Sequence, residues 1–139
     1  MTQENKELLL KDLCARLPYG VIVETSKGKG HVCDVNLTMF GTKVGVNISP
    51  TARDTFDIKD LQPYLFPSSS MTEEQWKEIT DIQIKESLKS IDSNNDYMSN
   101  PLFSIGDLKT LDWCYANHID YRGLIPMGLA IDATGLNIY

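Results

Sequence analysis

The chain has 139 residues, 42% of them hydrophobic and 23% charged, which is enough to bury a core without disulfide or metal staples. No apolar run approaches the ~20 residues that a helical membrane span needs, and that class is excluded. The net charge of -6 is unevenly divided, with eight acids and eight bases in residues 1–61 but eleven acids and five bases in residues 62–139, so the second half repels a phosphate backbone.

A first helix is predicted from residue 3 to 17, with Leu9, Leu10, Leu13, Cys14 and Leu17 on one side at about 100° per residue. Pro18 ends it, because the residue before a proline is pushed out of the helical region. Leu8 lies off the stripe and marks a second contact. This stretch has no basic leader and no small-residue cleavage site, so it does not read as a secretory signal, and the expected location is cytoplasmic. Cys14, Cys33 and Cys114, odd in number and widely spaced, are expected to be reduced.

From Gly20 to Ile58 the hydrophobic period changes to two. "HVCDVNLTMF" alternates, which predicts His31, Cys33, Val35, Leu37 and Met39 on a buried face and Asp34, Asn36 and Thr38 on the other. "VGVNI" repeats the pattern, "GTK" reads as the tight turn between them, and "SKGKG" reads as the loop of an earlier hairpin that begins with "YGVIVET". With "DTFDI" the count is four short antiparallel strands, which predicts a curled sheet or small SH3-like barrel.

In "SSSMTEEQW", Ser70 or Thr72 can cap a helix with Glu73 or Gln75 completing a capping box. That helix should run from about 72 to 90. Its apolar residues form two faces, Trp76, Ile79 and Ile82 on one and Ile84, Leu88 and Ile91 on the other, and one core covers only one such stripe. A symmetric homodimer is therefore expected, with Trp76, Ile79 and Leu88 as interface residues. "SNNDYMSNP" reads as a polar loop. Leu108, Leu111, Tyr115 and Ile119 define a last helix, with Trp113 on its opposite side. The whole is read as one α+β domain over 1–139: a helix in 1–18, a β-meander in 19–61, and a helical segment with a tail in 62–139.

"NHIDYRGLIP", residues 117–126, begins in the last turn of that helix and leaves it at Asp120, with Gly123 as the expected turn residue. Two readings compete here. In one, Asp120 pairs with Arg122 or caps the turn while Tyr121 packs down. In the other, Arg122 presents a fork to an anionic ligand or partner, with His118, Asp120 and Tyr121 beside it.

The stretch "LDWCYANHIDYRGLIPMGLAID" resembles the C-terminal signature of an uncharacterised group of small proteins from gut Bacteroidetes and their phages. "KDLCARLPYGV" and "LQPYLFPSSSMTEEQ" resemble the group as well, so the likeness covers most of the chain. Trp113, His118, Asp120, Tyr121, Arg122 and Gly123 match the signature, while Cys114 stands where the group has an aliphatic residue. The resemblance implies a small regulator or inhibitor and brings no catalytic residue.

Phosphate loops, nucleophile elbows and His-Glu-x-x-His helices are absent from the sequence. His31-x-Cys33 and Cys114-x-x-x-His118 have the types and spacing of a tetrahedral zinc set, but the apolar strand-mates of the first pair argue for small core residues instead. No metal or cofactor is expected. A Cys–His nucleophile pair drawn from the same four residues would lack an orienting acid and an oxyanion donor. The expected function is non-enzymatic binding or regulation through protein or small-ligand contacts. The alternatives are nucleic-acid binding by a barrel that presents Lys27, Lys29 and Lys43 near Phe40, and an enzyme with unrecognised Cys/His chemistry.

Overall fold

The computed structural model describes residues 1–92 and 105–139, with side chains at 1–85 and 108–139. Helix α1 (Gln3–Arg16) is followed by strands β1 (Ile22–Thr25), β2 (Gly28–Thr38), β3 (Gly41–Ser49), β4 (Ala52–Asp57) and β5 (Gln62–Leu65), helices α2 (Glu73–Asp92) and α3 (Ile105–Ala116), and strand β6 (Ile131–Asp132). No described helix is long and apolar enough to cross a membrane. The fold is α+β, as the period change requires. The sheet departs from expectation: it is open, with six strands in the order β4-β3-β2-β1-β5-β6, in place of a four-stranded SH3-like barrel. The meander supplies four strands. The other two, β5 and the parallel β6, come from the part read as helices and tail.

One core unites the sheet and α1. Leu9 and Leu13 of α1 pack with Val21, Val23, Val32, Val44, Val46, Phe56 and Leu65, and the later Leu124 and Leu129 close the cluster. Cys14, expected on the buried stripe, is exposed instead. The residues that α1 does bury are Leu9, Asp12, Leu13 and Arg16, a spacing of i, i+3, i+4 and i+7 in which polar side chains hold two of four positions.

The face of β2 also differs from the alternation. Val32 pairs with Val46 and Val35 with Val44, and the register shifts between Val32 and Asp34. A bulge at Cys33 adds one residue, which places Val32 and Val35 on the same side and turns His31 and Cys33 outward. Side-chain period two makes any one-residue slip reverse the face, so the simple alternation assigned His31 and Cys33 to the wrong side.

The β1–β2 and β2–β3 hairpins are closed by the same chemistry. The pairs Thr25↔Gly28 and Thr38↔Gly41 bracket two-residue turns, Ser26–Lys27 and Met39–Phe40. In each, the threonine hydroxyl donates to the glycine carbonyl and accepts from the second turn residue's N–H: 2.6 and 3.1 Å in the first, 2.8 and 3.2 Å in the second. Gly28 and Gly41 have φ of 110° and 117°, where side chains other than glycine are strained. The turn thus lies at Met39–Phe40, one step before the expected "GTK". Gly41→Ala is expected to cost about 1–3 kcal/mol, measured as a lowered denaturation midpoint, and an unchanged midpoint would refute this account of the turn.

Helix α2 starts where its capping box predicts. The Thr72 N–H donates to Gln75 Oε1 at 2.9 Å and the Gln75 N–H donates to Thr72 Oγ1 at 3.2 Å. Ile79 buries against Cys114 and Ile119, with Phe66, Met71 and Trp113 around them, so α3 covers this face within the same chain. The predicted polar loop "SNNDYMSNP" and the side chains of Leu88 and Ile91 lie outside the described residues.

Candidate functional site

Asp12 and Arg16, one helical turn apart, are both 0% exposed. Arg16 Nε donates to Asp12 Oδ2 at 2.7 Å and Nη2 to Asp12 Oδ1 at 3.2 Å, while Nη2 also donates to the Ile119 carbonyl at 2.7 Å. Arg122 approaches the same carboxylate, Nε to Oδ1 at 3.5 Å, and its Nη2 donates to the Tyr115 hydroxyl at 3.1 Å. The Arg16 guanidinium lies 5.2 Å from the Tyr115 ring centroid. Two guanidinium groups therefore share one buried carboxylate, with an aromatic face carrying part of the excess positive charge. Arg122 is directed toward Asp12 and Tyr115: its Nη2 is bonded to the Tyr115 hydroxyl, while its buried Nε, 3.5 Å from Asp12, makes no hydrogen bond.

The remaining residues of the NHIDYR stretch are deployed just as locally. Helix α3 ends at Ala116, earlier than the stretch suggests, and the chain turns twice after it: at His118, with φ of 58°, and at the expected Gly123, with φ of 73°. The His118 N–H donates to the Tyr115 carbonyl at 3.1 Å and the Ile119 N–H to the Cys114 carbonyl at 2.8 Å, a Schellman cap in which histidine occupies the usual glycine position. Asp120 is 9% exposed, and its carboxylate accepts from the Leu124 N–H at 2.8 Å and the Ile125 N–H at 2.9 Å. Asp120 thus caps the following turn, as one of the two readings required, and Arg122 pairs with Asp12 in place of Asp120. Tyr121 does not pack down: it is 57% exposed.

His118 stacks on Tyr139 with ring centroids 3.6 Å apart and planes 9° from parallel. The Tyr139 hydroxyl donates to the Tyr64 carbonyl at 2.7 Å and accepts from the Ile22 N–H at 3.0 Å. The antiparallel ladder between β1 and β5 stops at Val23↔Pro63, so this phenol inserts where Ile22 and Tyr64 would otherwise have met. Burial and, to a smaller degree, the charge of Arg16 push His118 down to about 4, so it is a neutral ring at physiological pH. Burial pushes the Tyr139 phenol up to about 12.

Comparison with known proteins finds no matching family model, no matching curated protein and no matching solved structure. The site is therefore read from its geometry. Among the described residues no three His, Cys, Asp or Glu side chains are grouped to hold a metal ion. His31 and Cys33 stand exposed on the outer sheet face, whereas Cys114 is buried beside Ile79 and Ile119. Burial also pushes the Cys114 thiol up, which disfavours the thiolate that a nucleophile requires.

The lysines of the nucleic-acid alternative do not form one patch. Lys27 pairs with Asp54, and Lys43 pairs with Asp57 at 3.2 Å at the other end of β2. Lys29 instead lies over the Tyr64 ring, 5.6 Å from its centroid.

Two surface features were not visible from residue periodicity. The Met39–Phe40 turn projects Leu37, Met39 and Phe40, which are 75%, 90% and 83% exposed. On the outer sheet face, β1, β2 and β3 form the floor of a groove of about 690 Å3, and residues 136–138 form its wall. The expected interface is divided: Ile79 is buried inside the chain, while Trp76, and Ile84 of the other apolar face of α2, are about half exposed.

Proposed function

We propose that this is a small non-enzymatic binding or regulatory protein that docks a protein partner with the tip of its β2–β3 hairpin. The observation that carries the reading is the exposure of Leu37, Met39 and Phe40 together on a turn held by the Thr38 hydroxyl. Apolar side chains on an ordered projection lose water on contact while little backbone entropy remains to be lost, and large side chains of this kind anchor interfaces. The half-exposed Trp76 and Ile84 of α2 offer a second apolar strip on which a homodimer can form. The resemblance to small proteins of gut Bacteroidetes and their phages suits a cytoplasmic regulator of this size.

The test replaces Met39 and Phe40 with serine together. Because both side chains are exposed, stability should change by no more than about 0.5 kcal/mol. Used as bait in its native host, the wild-type chain should retain a stoichiometric partner that the double variant loses and that Tyr121→Ser keeps. Equal retention by the double variant would remove the hairpin from the reading.

A further inference from the structure

The outer groove carries a different chemistry from the hairpin tip. Its apolar side chains are Ile22, Ile48 and Pro50 on the floor and Leu136 and Ile138 on the wall, and its polar groups include Lys29, His31 and Asn47. No acid lines it, although the chain holds 19 acids and a net charge of -6. Lys29 makes no ion pair among the described residues. The acid directly across the strands, Glu24, is engaged by the Tyr64 hydroxyl at 2.5 Å. The Tyr64 ring holds the Lys29 ammonium 5.6 Å from its centroid, which positions the charge without neutralising it.

We propose that this groove binds a small amphipathic carboxylate, with its anion on Lys29 and its apolar body between Ile22, Ile48, Leu136 and Ile138. The volume of about 690 Å3 lies within the usual range for small-ligand sites, whose walls are mainly apolar with few placed polar groups. One lysine matches one negative charge, whereas a dianion would leave a charge unmatched against an acidic protein. The wall is held in place by its neighbour Tyr139, whose hydroxyl is bonded to both β1 and β5.

The test titrates the full chain with octanoate, octanol, octylammonium and octyl phosphate below their micelle concentrations, followed by calorimetry and backbone amide NMR. Octanoate should shift the amides of Ile22, Lys29, Asn47 and Ile138 and bind more tightly than octylammonium. Lys29→Met keeps an apolar stem and should weaken octanoate by about five-fold while leaving octanol unchanged. Leu136→Asp, at a half-exposed position, should abolish binding of both, and the Met39/Phe40 double serine variant should bind as the wild type does. The proposal is overturned if octanoate does not bind, if octylammonium binds equally well, or if Lys29→Met makes no difference to octanoate. Octyl phosphate binding more than about ten-fold tighter than octanoate would overturn the single-charge assignment.

Discussion

Replacing Asp12 with alanine is expected to destabilise the protein by about 3–5 kcal/mol, the cost of breaking a buried ion pair by removing one partner. Asp12 is wholly buried and meets Arg16 at 2.7 and 3.2 Å and Arg122 at 3.5 Å. Without it the wholly buried Arg16 guanidinium loses its counter-charge beside a second cation, Arg122, which is a quarter exposed. The same loss should loosen residues 119–125, because Arg16 holds the Ile119 carbonyl. Urea unfolding gives the magnitude, and amide exchange at Ile119 gives the location. For comparison, Lys27→Ala removes an exposed pair and should cost at most about 1 kcal/mol. An Asp12→Ala loss as small as that of Lys27→Ala would show that the buried cluster contributes no more than a surface pair.

The second large effect is acid sensitivity through His118. Its ordinary value is 6.5, and in the folded chain it is pushed down to about 4, first by burial and then by Arg16. Between those values the unfolded chain binds more protons than the folded one, so folding stability rises with pH across the window. The contribution is fully present above 6.5 and is lost as pH falls towards about 4, by up to about 3 kcal/mol. Asp34, Asp54, Asp57 and Asp132 are each held below the ordinary carboxylate value, so they release their stabilisation at still lower pH. Asparagine tolerates the left-handed backbone and does not titrate, so His118→Asn should flatten the stability profile between pH 4 and 6.5. A profile with the wild-type slope in that variant would assign the proton uptake to another group.

The elements legible in the residues are those set by neighbours along the chain. The Thr72–Gln75 box forms as its spacing dictates; Pro18 does not push Leu17 out of the helical region, since Leu17 keeps helical dihedrals and the chain runs on from Arg16 as a 3-10 turn to Tyr19, which Gly20 ends in the left-handed conformation. The change of period at Gly20 announces β1 to β4 but not β5 and β6, which make the sheet six-stranded and open. Within it, the Thr-x-x-Gly spacing of "TSKG" and "TMFG" is a local signal that places both turns, and "GTK" drew attention away from it. In the candidate site, Asp120 was identifiable as a cap because its partners lie four and five residues ahead.

Asp12 and Arg16 were missed because a hydrophobic stripe counts only apolar residues, although their spacing continues the Leu9–Leu13 face. A rule that admits an i, i+4 acid–base pair on a buried stripe would have found them. No such signal exists for Arg122, whose carboxylate partner is 110 positions earlier in the chain.

The sequence by itself determined the α+β class, the starts of α1 and α2 and the acidic second half, because these depend on dihedral preference, spacing and charge over a few residues. Only the tertiary structure decided which face of β2 is buried, since one bulged residue at Cys33 reverses the parity on one side of it. It alone placed β6 beside β5, Tyr139 between Ile22 and Tyr64, and Arg122 on Asp12. Those choices turn on satisfying buried polar groups across the fold, and the partner of a buried hydrogen bond or charge is selected by proximity in space, which sequence separation does not encode.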